Sequence, residues 1–169
     1  MIQTGDALPA ITLHEYIEEP AQGCSIGPNP VDLRQAAAGK TIALFAVPGA
    51  FTPTCSVKHA PGYLARYQDL KAAGVDEIWC TSVNDAFVMG AWARDLHAVG
   101  KIRFLADGSA DFARAVGLSA DMSARGFGTR SGRYSMLIKN GKVAALNVDA
   151  PGKFEVSDAE TLLAQARAA

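Results

Sequence analysis

The sequence predicts a three-layer α/β/α domain built around a mixed β-sheet. Three apolar runs of strand length alternate with helical patterns between residues 41 and 117, and an Asn-Gly pair at 140–141 separates two further apolar runs. Alternating strands and helices favour parallel pairing, whereas a hairpin adds antiparallel strands. Helices are then expected on both faces of the sheet. The length of 169 residues suits a single domain, which we expect to span residues 1–169.

The first predicted strand is the run TIALFAV at residues 41–47, which is continuously apolar and is ended by Pro48 and Gly49. A helix is predicted to follow over about residues 54–73, and Gly74 is placed to end it. Its inward face is predicted from apolar residues at helical spacing, namely Val57, Tyr63, Leu64, Tyr67 and Leu70.

Two further strand–helix units follow. The run EIWCTSV at residues 77–83 predicts the second strand, and Asn84 or Asp85 can cap a helix that continues to about residue 96. The expected inward residues of this helix are Phe87, Val88, Trp92 and Leu96. The run IRFLAD at 102–107 predicts the third strand, before a short helix near 110–116 that Gly117 ends.

The last part of the chain changes to an antiparallel pattern. The segments RYSMLI and KVAALNV flank the Asn140-Gly141 pair, which predicts a β-hairpin. Ser157 and Glu160 match a capping box for a final helix over Leu162, Leu163 and Ala166. An earlier segment, AITLHEY, is a strand candidate near the N-terminus. This order of elements fits a thioredoxin-like sheet.

The composition excludes several classes of function. Sixteen Lys and Arg residues against 17 Asp and Glu give a net charge of −1, so we expect no nucleic-acid partner. No apolar run is long enough to cross a bilayer, and the first ten residues lack a secretory pattern. The three cysteines do not form a disulfide framework, and their spacing with the three histidines does not match a metal site. We therefore expect a cytoplasmic protein without a membrane partner, metal or cofactor.

Cys55 is the candidate nucleophile. It follows the first predicted strand and falls in the first turn of the next helix, where ligands gather in open α/β sheets. Free backbone N–H groups and the helix dipole favour a thiolate there. Pro48 and Pro53 stiffen the approach, and Thr52 lies three residues before the sulfur. The alternative interpretation is that Cys55 is a small buried packing residue.

The pattern Pro48-x-x-x-Thr52-x-x-Cys55 resembles the active-site signature of the peroxiredoxins. The string PGAFTPTCSxxHxPGY, with SVNDAFVMGAWA, FLADGSA and GTRSGRYSM further on, resembles the peroxiredoxin-five subfamily, called type II in plants. The similarity covers nearly the whole chain after the first forty residues. It implies a thiol-dependent peroxidase that reduces hydrogen peroxide and alkyl hydroperoxides and leaves a sulfenic acid on the cysteine.

The resemblance also implies a role for each site residue. Cys55 is expected to be the peroxidatic nucleophile, and Thr52 to position the peroxide and bond the thiolate. Pro48 is expected to shield the sulfur. Arg133 is expected to favour the thiolate and the charge that develops on the leaving oxygen, although without the resemblance it reads as a solvated charge. Arg130 is expected to give electrostatic support only.

His59 lies one helical turn after Cys55, which suggests a Cys–His nucleophile pair as in thiol hydrolases. The direction of the helix carries His59 away from the N-terminal turn where the sulfur reacts. We therefore expect a satisfied or packing histidine, and keep the hydrolase as a weaker alternative.

The reductant of the sulfenic acid is not defined by a motif, because the chain has no C-x-x-C pair. Cys80 is either a buried strand residue, which we favour, or a resolving partner. Cys24 lies in a Gly/Pro-rich loop, and GKFEVSDAE lacks the resolving cysteine found in animal relatives. The resemblance therefore implies a one-cysteine cycle with glutathione, glutaredoxin or thioredoxin as reductant, and a homodimer. The alternative function is a peroxide sensor with little turnover.

Overall fold

The computed structural model describes residues 1–19 and 26–169, so Cys24 lies outside the described residues. The larger of its two sheets contains seven strands. They are β1 (Thr12–Ile17), β2 (Gly27–Asp32), β3 (Thr41–Ala46), β4 (Glu77–Ser82), β5 (Ile102–Ala106), β8 (Tyr134–Lys139) and β9 (Lys142–Val148). The short strands β6 (Ser119–Asp121) and β7 (Thr129–Ser131) pair in a separate ribbon.

In the described part of the chain, six α-helices and two shorter helical turns accompany the sheet. The α-helices are α1 (Leu33–Ala37), α2 (Ala60–Ala65), α3 (Tyr67–Ala72), α4 (Ala86–Asp95), α5 (Asp111–Ala115) and α6 (Ala159–Ala168). Residues Cys55–His59 form a π-helical turn, and Ser123–Arg125 form a 3₁₀ turn. Within the described residues, no helix has the length and apolar character needed to cross a bilayer.

The strand order is β2-β1-β5-β4-β3-β8-β9, with β3, β4 and β5 parallel and the remaining pairs antiparallel. Each face of this mixed sheet carries its own apolar core. One core contains buried residues of α2, α3, α4 and α6, and the other contains buried residues of α1 and α5. The predicted three-layer, thioredoxin-like fold class is confirmed.

The predicted hairpin is present between β8 and β9. Asn140 and Gly141 both have positive φ, at 47° and 74°. Two consecutive left-handed residues match the twist of antiparallel strands, which explains the Asn-Gly pair at this turn.

The helix after β3 is less regular than its apolar spacing predicts. The Ala60 N–H donates to the Cys55 carbonyl five residues earlier, which defines the π-turn. Pro61 comes next, and a proline in a regular α-helix lacks the N–H and crowds the carbonyl four residues before it. The wider turn shifts the helical phase, so Val57 is 72% exposed instead of buried.

Two other local predictions are wrong. Phe87 was expected to face inward from α4 but is 63% exposed, its ring centroid 5.7 Å from that of Tyr16. Ser157 does not cap α6, because Asp158 takes that position and its carboxylate accepts the Thr161 N–H. An ionised carboxylate is at least as good an N-cap as a hydroxyl, and it also interacts favourably with the helix dipole.

Candidate active site

The loop after β3 lies at the carboxyl end of the parallel strands and is held from β4. The Ala50 N–H donates to Asn84 Oδ1 at 3.0 Å, and the Ser82 hydroxyl donates to the same oxygen at 2.7 Å. The loop is tight, since a Cβ added to Gly49 would lie 3.1 Å from Thr52 Cγ2. These contacts fix the path of the chain into the turn that holds Cys55.

Cys55 is the first residue of the π-turn and is fully buried. The residue after it is anchored from α4, because the indole N–H of Trp92 donates to Ser56 Oγ at 3.0 Å. Trp92 is itself fully buried and packs edge-on against Phe104. The sulfur is therefore shielded from bulk water in a turn that the core holds in place.

Arg133 contacts the sulfur directly. Its Nη2 donates to Cys55 Sγ at 3.3 Å, although the two residues lie 78 positions apart in the sequence. The sheet register explains this contact, because Ala46 at the end of β3 pairs with Tyr134 at the start of β8. The guanidinium therefore places a positively charged N–H donor directly on the sulfur.

His59 is buried beside Arg133 and bonded through both ring nitrogens. Arg133 Nη1 lies 2.9 Å from His59 Nδ1, and His59 Nε2 lies 3.0 Å from the Ser157 carbonyl oxygen. A guanidinium only donates and a carbonyl only accepts, so the ring carries its proton on Nε2 and accepts at Nδ1. Burial and the charge of Arg133 lower the pKa of His59 to about 4, which keeps the ring neutral near pH 7.

This arrangement opposes the hydrolase alternative. A general base must have a free nitrogen within reach of the nucleophile's proton. Both nitrogens of His59 already have other partners, and the hydrogen-bond donor next to Cys55 Sγ is Arg133.

An aromatic ring covers the other side of the arginine. The Phe154 ring lies 5.7 Å from the Arg133 guanidinium carbon and 4.8 Å from the His59 ring. A cation close to an aromatic face is stabilised by the ring quadrupole. The half-buried guanidinium is thus enclosed by a thiol, a neutral imidazole and a phenyl ring.

The other predicted site residues also lie around this loop. The Thr52 hydroxyl donates to the Gly49 carbonyl at 2.7 Å, so its proton does not point to Cys55, and its oxygen retains accepting capacity. Pro48 is half-buried next to Gly49. Arg130 instead donates to the backbone carbonyls of Phe127 and Val83, at 2.8 and 3.2 Å.

Cys80 lies on β4, between Phe45 of β3 and Phe104 of β5 in the sheet register. It is a free thiol, fully buried, and belongs to the same apolar core as Cys55. Burial, and next the proximity of Cys55, raise the pKa of the Cys80 thiol well above its usual value. A protonated thiol is a poor attacking group.

Three residues between β9 and α6, namely Asp149, Phe154 and Ser157, were not anticipated as part of the site. Ser157 accepts the His59 N–H through its carbonyl, and Asp149 accepts the Ser157 hydroxyl at 2.5 Å. No local pattern indicates these contacts, since Ser157 lies 98 positions after His59. Among residues 1–19 and 26–169, no cluster of three His, Cys, Asp or Glu side chains is placed to hold a metal ion.

Comparison with known proteins identifies the family. The Redoxin family profile matches residues 3–163. Peroxiredoxin-2C of Arabidopsis thaliana is 42% identical over 162 residues, which cover 96% of each chain.

Solved structures agree with this match. Reduced Prx3 from Vibrio vulnificus in complex with H₂O₂ is 49% identical with a TM-score of 0.90, covering 98% of this chain and 99% of that one. A Burkholderia cenocepacia protein described as a thioredoxin reductase is 60% identical with a TM-score of 0.95, covering 97% of both chains. With a near-full-length match to named peroxiredoxins and a cysteine on the expected strand-to-helix turn, the chain belongs to the peroxiredoxin family of thiol-dependent peroxidases.

Proposed function

We propose that Cys55 is the peroxidatic nucleophile of this peroxidase. The thiolate attacks one oxygen of the peroxide, an S–O bond forms and the O–O bond breaks. The cysteine becomes a sulfenic acid, and the leaving oxygen takes a proton and departs as water or an alcohol. The observation that supports this most strongly is the 3.3 Å contact between Arg133 Nη2 and the buried Cys55 Sγ.

Arg133 has two roles in this proposal. It favours the thiolate before the reaction, and its charge stabilises the negative charge that develops on the leaving oxygen. Both roles need a guanidinium that is held in place before the peroxide arrives. The contacts of Arg133 with His59 and Phe154 hold it in this way.

Thr52 and Pro48 are proposed to shape the peroxide site. Because Thr52 gives its proton to Gly49, its oxygen is free to accept a hydrogen bond from the peroxide O–H. Bonding of the thiolate by the same hydroxyl, which the resemblance implies, requires rotation away from Gly49. Pro48 offers no N–H and shields the sulfur.

The proposed substrates are hydrogen peroxide and small alkyl hydroperoxides. The test is stopped-flow consumption of each peroxide by reduced protein. Cys55→Ser should abolish the fast reaction, and Thr52→Val should slow it while Thr52→Ser retains it. Equal rates for Cys55→Ser and wild type would contradict the assignment.

The proposed cycle uses one cysteine of this chain and an external thiol. Cys80 is buried and protonated, and residues 152–160 contain no cysteine. We propose glutathione, glutaredoxin or thioredoxin as reductant. Steady-state turnover is to be measured with glutathione alone, with glutathione plus glutaredoxin, and with the thioredoxin system; failure of all three would contradict this cycle.

The same cysteine arrangement favours one second candidate, a peroxide sensor that relays oxidation to a partner protein. The two candidates differ in steady-state turnover. Sustained cycling with any of the three reductant systems excludes a sensor that turns over little, whereas a single fast oxidation without cycling supports it.

Residues 1–169 are proposed to form one domain of a cytoplasmic homodimer. Both described cysteines are free thiols, which fits a reducing compartment. Phe51 and Val57, which flank Cys55 in the sequence, are exposed and suit an apolar contact between subunits. Sedimentation velocity of the reduced protein tests the homodimer. A single cooperative unfolding transition would support one domain, and cell fractionation tests the cytoplasmic location.

A further inference from the structure

The segment from β9 to α6 forms the outer wall of the site. It begins at Asp149, ends at Ser157, and contributes Phe154 to the surroundings of Arg133. Sequence patterns and the proposed peroxide chemistry assign Asp149 no role. Its hydrogen bonds join the beginning of this segment to its end.

The Asp149 carboxylate accepts three hydrogen bonds from its own segment. The N–H groups of Glu155 and Val156 donate to Oδ1 at 2.9 and 2.7 Å, and the Ser157 hydroxyl donates to Oδ2 at 2.5 Å. Partial burial raises the pKa of the Asp149 carboxyl, but the bonds from Ser157, Val156 and Glu155 outweigh it and leave the pKa below its usual value. The group is therefore a carboxylate near pH 7.

The Ser157 carbonyl carries this constraint to the active site. It accepts the His59 Nε2–H at 3.0 Å and the Tyr63 hydroxyl at 2.9 Å. The first bond holds the imidazole proton on Nε2 and so leaves Nδ1 free to accept from Arg133. If the ring changed tautomer, two N–H groups would face each other and the arginine would lose its partner.

Asp149 also holds Arg133 through the backbone. Its N–H donates to the Arg133 carbonyl at 3.0 Å. Asp149 thus fixes the main chain of Arg133 and also orders the segment that packs around the Arg133 side chain.

We propose that Asp149 is a positioning residue of the peroxidase site, acting on Cys55 through Ser157, His59 and Arg133. It does not touch the reacting atoms. It fixes the Ser157 carbonyl, which fixes the tautomer of His59, which holds the guanidinium against the sulfur. The inference rests on the proposed role of Arg133.

Asp149→Asn is the most informative variant, because it keeps the size of the side chain but changes its hydrogen-bonding character. The amide oxygen can still accept from Glu155 and Val156, but the amide nitrogen then faces the Ser157 hydroxyl as a donor. That hydroxyl must turn its proton toward a new acceptor, and His59 Nε2 lies 3.4 Å away. This favours the wrong tautomer of the ring.

The experiment is a double-mutant cycle on the second-order rate constant for hydrogen peroxide, measured with Asp149→Asn, Arg133→Ala and the double variant. Asp149→Asn alone should lower the rate constant about 10- to 100-fold, the range expected for a misplaced reacting group. In the Arg133→Ala background it should have no further effect. Equal losses in both backgrounds, or no loss in either, would overturn the proposal.

The cycle separates this proposal from the proposed role of Arg133. If Arg133→Ala reacts as fast as wild type, the role of Arg133 fails and this inference fails with it. If Arg133→Ala is slow but Asp149→Asn is not, only the present inference fails.

A spectroscopic measurement excludes a merely structural effect. Long-range proton–nitrogen NMR spectra of the imidazole rings distinguish Nε2–H from Nδ1–H, and the signals of His59 are assigned by their loss in His59→Phe. Wild type should show Nε2–H only, and Asp149→Asn should show a mixture or Nδ1–H. An unchanged His59 spectrum in Asp149→Asn would contradict the proposed path.

Two further variants guard against misfolding. Ser157→Ala keeps the backbone carbonyl and removes the hydroxyl, with its bond to Asp149 and its 3.4 Å contact with His59 Nε2, so it should give a smaller loss in rate in the same direction. Asp32→Asn is the matched control, because the Asp32 carboxylate likewise accepts a backbone N–H, from Gln35, at the start of α1. It should leave the rate constant unchanged, and a loss equal to that of Asp149→Asn would overturn the proposal.

Discussion

Arg133 Nη1 donates to His59 Nδ1 at 2.9 Å. This buried nitrogen therefore accepts a hydrogen bond from the arginine and is not available to take a proton from Cys55. The same guanidinium reaches Cys55 Sγ with its other terminal nitrogen. The arginine thus lies between the Cys55 sulfur and an imidazole nitrogen that accepts one of its hydrogen bonds. These two contacts join His59, Arg133 and Cys55 in one hydrogen-bonded chain.

Arg133→Lys should slow peroxide reduction on the order of 100-fold, although it keeps the positive charge. A single ammonium cannot reproduce the fork that spans Cys55 and His59. Stopped-flow kinetics at equal pH measure the effect. The matched control is Arg130→Lys, because the Arg130 guanidinium contacts backbone carbonyls. This variant should lose much less of the rate constant. Similar losses in the two variants would contradict the role assigned to Arg133.

His59→Phe should lower the rate constant because Arg133 loses its acceptor, and His59→Gln should recover part of the loss through its amide oxygen. The rate constants are measured by stopped-flow kinetics, and folding is checked by circular dichroism. A folded His59→Phe variant with the wild-type rate constant would show that the imidazole does not orient the arginine.

His59 should also make folding stability depend on pH. Its pKa is lowered from 6.5 to about 4 by burial and by Arg133, so the unfolded chain binds the extra proton more readily in that window. Stability should therefore fall as the pH drops from 6.5 to about 4, by a total on the order of 3 kcal/mol.

The Asp149 carboxyl acts at lower pH, because its stabilising contribution is lost only as the pH falls through its own lowered pKa. Urea denaturation of wild type and His59→Phe between pH 4 and pH 7 tests the His59 contribution. The free energy of unfolding should vary less with pH in His59→Phe than in wild type. Parallel pH profiles for the two proteins would contradict the predicted contribution of His59.

Ser56→Ala should destabilise the protein by about 1–3 kcal/mol, because the buried Trp92 N–H then has no acceptor. The same change should cost little when Trp92 is already Phe, since that ring has no N–H. Denaturant unfolding of the four proteins in this cycle measures the coupling, and additive losses would show that the bond contributes nothing.

Cys80→Ala should leave both the first oxidation and turnover with an external thiol intact, because the buried Cys80 thiol is protonated near pH 7. Steady-state assays with the productive reductant check this. A variant that is oxidised normally but no longer cycles would identify Cys80 as a resolving cysteine.

The sequence predicts the fold well where the pattern is local. The apolar run at 41–47, the two βα units and the Asn-Gly hairpin all appear in the structure. The prediction fails where two local signals compete. Asp158 replaces Ser157 as the cap of α6, and the π-turn before Pro61 turns Val57 outward.

The site is predictable only in part, because several of its contacts join residues that lie far apart in the sequence. The place of Cys55 follows from a strand end and a helix start next to each other in sequence. The contact with Arg133 depends on the pairing of β3 with β8, which no local pattern specifies. The bonds of Ser157 to His59 and Asp149 depend on how the chain returns after β9, so packing alone reveals them.

The most direct test of the account is peptide mass mapping of the reduced protein after one equivalent of hydrogen peroxide, with a reagent that traps sulfenic acids. The trapped adduct should lie on the peptide that contains Cys55 and should be absent from Cys55→Ser. An adduct on the Cys80 or Cys24 peptide instead, or equal peroxide consumption without Cys55, would contradict the central claim.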